Sequence, residues 1–264
     1  MLALVPEARR ETAIGAFITV VGSIAAALLF LVVLYRVWAP SLRRAQNDVV
    51  GPSVGVIGTM YAVLIAFMLS GVWANFQSAQ VNAEQESNCL VDLFRFADNF
   101  APADRDKIQA LTRKYATVMI NQEWPLMQSD HADDVGRNVT YELWTAISRI
   151  EPHTSNESLN LDHALGQLNT LTEHRRIRLL QSRTQLPPIL WSVLIVGGIV
   201  TVASTCLFGA DSLRAHMLQV FAITFLVSLT LVAIAEVDRP YQGDVRVGPD
   251  GFHFALDSFD HWGK

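Results

Sequence analysis

Residues 49–83 carry no charged side chain, and this stretch runs without a break into polar, helix-forming sequence that continues to Phe100. A single seam of alternating three- and four-residue steps fits the whole length. It takes Gly51, Gly55, Gly58, Ala62, Ile65, Leu69, Val72, Phe76, Ala79, Ala83, Glu86, Leu90, Leu93, Ala97 and Phe100. Such a register describes one face of a long packed helix. At about 1.5 Å per residue the helix would reach roughly 75 Å, well over twice the hydrocarbon core of a bilayer. The seam is small-residued at its start, bulky in its middle, and holds one carboxylate, Glu86, in its polar half. Two readings follow: a helix that lines or gates a central pathway in an oligomer, or one helix of a bundle.

Four charge-free stretches are long enough to cross a membrane, at residues 12–35, 49–75, 184–210 and 215–235. The expected fold is an all-α membrane protein with four transmembrane helices. A helical cytoplasmic bundle is inserted between helices 2 and 3, and the second helix is continuous into it. The boundaries are 12–37 for the first span, 49–76 for the second with its soluble continuation to 100, and 101–183 for the bundle. The third and fourth spans take 184–208 and 213–236, and a cytoplasmic tail takes 237–264. Arg9 and Arg10 precede an apolar run too long for a signal-peptide core, and no small-residue cleavage site ends it. The first span is therefore expected to be retained.

Each part of the insert reads as helix. Pro102 opens one, with Asp104 and Asp106 in its first turn and Ile108, Leu111, Tyr115 and Val118 along one face. Another starts near Asp133, carries Val135, Val139, Leu143, Ile147 and Ile150, and stops at Pro152. The last begins after Asn156 with Leu161, Leu165 and Leu168, then passes through Arg175, Arg176, Arg178 and Arg183 to Pro187 and Pro188. These stripes face one another most simply as an antiparallel bundle.

The balance of Lys and Arg near the span ends sets orientation. Arg9, Arg10, the arginines of 175–183, Arg239 and Arg246 lie on one side; Arg36, Arg43, Arg44 and Arg214 lie on the other. The larger group places both termini and the insert in the cytoplasm, as expected of a bacterial inner-membrane protein. A net charge of -5 argues against a nucleic-acid partner.

Nothing in the chain resembles a catalytic constellation. No nucleophile–base–orienter pattern or phosphate-cradling glycine loop occurs, and His153, His163 and His174 lie too far apart for a metal site. The two cysteines, Cys89 and Cys206, form neither a CxxC pair nor a disulfide framework. No enzyme and no cofactor are expected. The spans hold almost no ionisable group, which disfavours a proton- or ion-coupled transporter. A channel with an apolar constriction that gates by dewetting needs none.

On that reading Gly58 and Ala62 surround an axis, while Ile65, Leu69, Val72 and Phe76 constrict it. Rotated by one position, the helix would present Tyr61, Met68 and Asn75 instead. Glu86 is open to several readings: a register-setting polar residue, a salt bridge to an arginine of the last insert helix, or an ion-attracting ring in a vestibule. The basic cluster from His174 to Arg183 would concentrate anions or bind anionic headgroups.

Several local patterns carry a resemblance. They are Gly58-Thr59-Met60-Tyr61-Ala62-Val63-Leu64-Ile65-Ala66-Phe67, then Trp73 and Ala83-Glu84-Gln85-Glu86, then Arg175-Arg176-Ile177-Arg178-Leu179 ahead of Leu186-Pro187-Pro188-Ile189-Leu190-Trp191, and finally Asp238-Arg239-Pro240-Tyr241-Gln242-Gly243. The chain resembles the bestrophin-like family of bacterial and plant membrane proteins. That resemblance implies an oligomeric channel whose second membrane helix lines the pore through an apolar neck. The stretch Ala66-Phe67-Met68-Leu69-Ser70-Gly71 is similar to that neck and adds Phe67 to the candidates. No long acidic tail is present, so calcium gating is not implied. In the 238–243 turn, Pro240 stops the fourth helix, Gly243 permits a tight bend, and Asp238 caps or pairs, with Arg239 beside it. The leading expectation is a homo-oligomeric ion channel in a lipid bilayer, passing a small ion of either charge. The alternative is a non-conducting scaffold or sensor whose bundle binds a partner.

Overall fold

A computed structural model describes residues 7–129 and 135–262. The expected helix start at Asp133 lies outside the described residues, and so do the side chains of Arg9 and Arg10. Among the described residues there are helices and no strand: α1 (Glu7–Val37), α2 (Pro40–Arg44), α3 (Asn47–Phe96), α4 (Pro102–Val118), α5 (Trp124–Gln128), α6 (Gly136–Ile147), α7 (Ser155–Gln181), α8 (Pro188–Cys206), α9 (Leu213–Val237) and α10 (Asp250–His261). Four stretches are long and apolar enough to cross a membrane: Ile14–Val37, Asn47–Asn99, Pro188–Cys206 and Leu213–Val237. The chain divides into two compact units, Met1–Ala74 with Gln185–Asp238, and Asn75–Thr184 with Arg239–Lys264. α3, 50 residues long, contributes to both. It starts at Asn47, two residues before the expected 49, and carries Pro52 inside it.

In the first unit α1 packs against α8 and α9, which also pack on each other. Ala27, Leu31, Cys206 and Val220 form a buried cluster there. Prolines open two of its helices, Pro40 in α2 and Pro188 in α8, where the missing N–H costs nothing. The short link between α8 and α9 is held by polar contacts. The Asn47 side chain donates to the Gly209 carbonyl at 3.1 Å and accepts from its N–H at 3.0 Å. A Cβ on Gly209 would land on the backbone of Arg43 and Arg44, so a glycine is required. Arg43 is wholly buried; it donates from Nη1 to the carbonyls of Cys206 and Phe208 and lies 4.3 Å over the Tyr35 ring. A cation on the last carbonyls of a helix is favourable, and the ring face adds to it. At the other end of α8, both carboxylate oxygens of Asp238 accept from the Leu186 N–H, at 2.9 and 3.2 Å. Asp238 therefore secures the entry to α8.

The second unit is a bundle of the later half of α3 with α4 to α7 and α10. A 3-10 turn at Ala97–Asn99 ends α3, and Pro102 opens α4. A π-helical turn, Met119–Glu123, joins α4 to α5. Thr154 caps α7 by accepting from the Glu157 N–H, while the Glu157 carboxylate accepts from the His153 N–H at 2.7 Å. Sequence reading left residues 237–264 as a tail. They contain α10, whose Phe252, Ala255 and Phe259 are buried, with Phe259 stacked on Phe94 at 4.3 Å. In the turn leading there, Pro240 accepts from the Val247 N–H, Tyr241 donates to the Ala79 carbonyl, and Gly243 has a φ of 72°. That left-handed conformation favours glycine.

Candidate functional site

The rotation of α3 decides which of its residues can face a pathway. In the second unit every seam position from Phe76 to Phe100 is buried. In the first unit the inward positions are Asn47, Val54, Gly58, Tyr61, Ile65, Met68 and Val72, half-buried or buried. The seam is thus a packing face in the second unit, while Gly55 and Ala62 on it are exposed in the first. Val72, 4% exposed, and Phe76, 8% exposed, are enclosed within the chain itself. Leu69 sits half-buried on the flank, and Ala62 is exposed.

About half a turn away, at roughly 100° per residue, lies an exposed face. It takes Val56, Thr59, Val63, Phe67, Ser70 and Ala74 on three- and four-residue steps. Phe67 is 72% exposed and Val63 50%. Of the candidates named from sequence, Phe67 is central on this face. In the second unit the same spacing continues with exposed Gln77, Val81, Glu84 and Asn88.

Glu86 is 0% exposed and turned into the bundle rather than toward a vestibule. Arg178, equally buried, donates from Nε to Glu86 Oε2 at 2.7 Å and from Nη2 to Oε1 at 3.0 Å. Tyr115 donates its hydroxyl to the same Oε1 at 2.7 Å. The other side of Arg178 meets Glu123 at 2.7 Å, and Glu123 also takes Arg175 at 2.8 Å and the Gly136 N–H at 2.8 Å. Trp124 lies under the guanidinium, 4.7 Å from it. Two carboxylates and two guanidiniums balance in charge, which makes their burial tolerable. Arg175 and Arg178 are therefore interior ligands of carboxylates and not part of an anion-concentrating surface.

Protonation states follow from this geometry. Burial pushes the Glu123 carboxyl up, but Arg178 and Arg175 outweigh it and hold it below its ordinary value. Burial and then the Glu86 charge hold the Tyr115 hydroxyl well above the usual phenol range, so it remains a donor. For Arg178, burial works against the charge, yet Glu86 and Glu123 keep it firmly protonated. Sequence reading anticipated an arginine for Glu86 but missed Glu123 and Tyr115. Glu123 sits in the π-helical turn, whose geometry no periodicity announces.

These features define a membrane protein that is helical among the described residues, with one long helix that carries a face its own chain leaves uncovered. A bestrophin-like domain model matches residues 21–252, and the chain belongs to the bestrophin-like family. Solved structures share the fold at low sequence identity. A single-substitution variant of a bacterial bestrophin homolog from Klebsiella pneumoniae aligns with a TM-score of 0.68 and 12% identity, covering 93% of this chain and 99% of that one. A second structure of that homolog, phased on zinc, gives 0.64 and 12% over 91% and 98%. A variant described only as a membrane protein gives 0.67 and 11% over 93% and 99%. No curated protein sequence matches the chain.

Proposed function

We propose that the protein is an oligomeric, bestrophin-like ion channel in which the exposed face of α3 lines a shared path. The observation that carries this reading is the uncovered row Val56, Thr59, Val63, Phe67, Ser70 and Ala74. Val63 and Phe67 form the narrow, apolar part, where passage depends on wetting. Ser70 and Ala74 widen and moisten the path beyond it. Family membership supports the reading, as do four helices of spanning length and the scarcity of ionisable groups in them. α1, the first half of α3, α8 and α9 span the bilayer, with the helical bundle and both termini in the cytoplasm of a bacterium. Copies of the chain assemble around the path, and lipid covers the remaining apolar faces.

Reconstitution of the purified protein into liposomes tests this directly. Small ions should cross the loaded vesicles, and Phe67→Ser should raise the flux several-fold by wetting the constriction. Protein that stays oligomeric but passes neither cations nor anions is a scaffold, and the channel reading is then wrong.

A further inference from the structure

If α3 lines a path, something must hold its rotation, because a turn of one residue replaces one set of lining side chains by another. The first unit contains a feature with that shape. Tyr61 is buried, and its hydroxyl donates to the Leu194 carbonyl of α8 at 2.8 Å. Its ring lies across the adjacent pair Gly197 and Gly198. A Cβ on Gly197 would come within 2.7 Å of the ring's Cδ2, and one on Gly198 within 2.8 Å of the hydroxyl oxygen. Both distances are closer than real Cβ atoms approach, so the ring fits only because two successive residues lack a side chain.

The position on the helix matters as much as the fit. Tyr61 lies about half a turn from Val63 and Ser70, and so marks the middle of the inward face. About four turns earlier on nearly the same face, Asn47 holds Gly209 through two hydrogen bonds. One anchor is a paired amide at the helix start; the other is an aromatic ring seated in a two-glycine notch. Between them no charged group participates, so the setting is steric and directional rather than electrostatic.

We propose that Tyr61, seated on Gly197 and Gly198, is a rotational key: a positioning residue that keeps Val63 and Phe67 turned toward the ion path. This inference rests on the channel reading above. Alanine favours helix over glycine, so Gly197→Ala disturbs the notch without weakening α8 as a helix.

The test uses the full-length protein in liposomes and single cysteines at positions 63, 64, 67 and 68, treated with a charged, membrane-impermeant thiol reagent. The native Cys89 and Cys206 are both buried, which keeps the background low. In the parent, Val63→Cys and Phe67→Cys should react at least about tenfold faster than Leu64→Cys and Met68→Cys, following exposure to water. Adding Gly197→Ala should shift the fast positions to their neighbours, and flux should change with them. A merely structural contact would lower the melting temperature and leave the pattern alone, which overturns the key. Should Gly197→Ala fail to assemble, Tyr61→Leu removes the ring from the notch and should shrink the difference between positions below about threefold. A preserved tenfold difference in that variant overturns the proposal. If the parent shows no difference among the four positions, the channel reading fails and takes the key with it; a clear parental pattern that ignores both variants refutes the key alone.

Discussion

The two halves of α3 are buried by different chemistry. In the second unit the seam is closed around Glu86, whose carboxylate is saturated by Arg178 and Tyr115, with Leu90 and Leu93 fully buried nearby along the helix. In the first unit the inward face carries no charge and is held by a tyrosine in a glycine notch and by an asparagine on a glycine backbone. On the proposed topology the bundle stands in water, where a balanced buried ionic network can fix the register of its helices. Lipid offers no such contrast between inside and outside, so close steric fit and hydrogen bonds to backbone carbonyls take over. On the proposed channel reading, the bundle half carries stability and the uncovered face of the other half carries conduction.

The largest expected effect breaks the ionic half. Arg178→Met leaves Glu86 and Glu123 buried beside each other with less compensation and should cost about 3–5 kcal/mol, measured as a fall in the denaturant midpoint. Acid acts on the same network. The Glu123 carboxyl is held below its ordinary value in the folded chain, so its contribution is present above the unfolded carboxylate range. That contribution should be lost as pH falls through about 4 and below, which a pH series of thermal melts on wild type and Glu123→Gln would show.

A paired comparison sharpens the division. Leu90→Ala, in the closed seam, should cost about 2–5 kcal/mol and leave the flux per folded oligomer unchanged. Phe67→Ala should do the reverse, raising flux with little loss of stability, as read by liposome assay and melting in parallel. Leu90→Ala altering flux as strongly as Phe67→Ala would erase the distinction. The smallest effect belongs to the α7 cap: Thr154→Ala removes the acceptor for the Glu157 N–H and should cost about 1 kcal/mol.

Much of the architecture is legible from the residues. The charge-free stretches mark the helices of spanning length, and the three-and-four spacing of residues 51–100 marks one long helix. The lone carboxylate of that seam also suggests an arginine partner. The rotation of α3 is not legible, because periodicity identifies a buried face without saying whether the same chain or another copy buries it. Val72 and Phe76 are bulky and in register, yet their own chain encloses them, whereas Phe67, off the seam, is left outward. The key at Tyr61 escapes for a related reason: Gly197 and Gly198 read as ordinary small membrane residues until the ring upon them is seen. α10 does carry a signal, since Phe252, Ala255 and Phe259 recur at helical spacing. Asp250, Asp257 and Asp260 among them give the stretch the look of a solvated tail.

On the channel reading, the uncovered face of α3 surrounds the ion path. Blocking flux through single cysteines with a charged, water-soluble thiol reagent tests it most directly. The reagent should stop ion flux through Val63→Cys and Phe67→Cys oligomers and leave Val72→Cys oligomers conducting. Block at Val72→Cys with none at positions 63 and 67 would contradict it, and so would flux indifferent to all three.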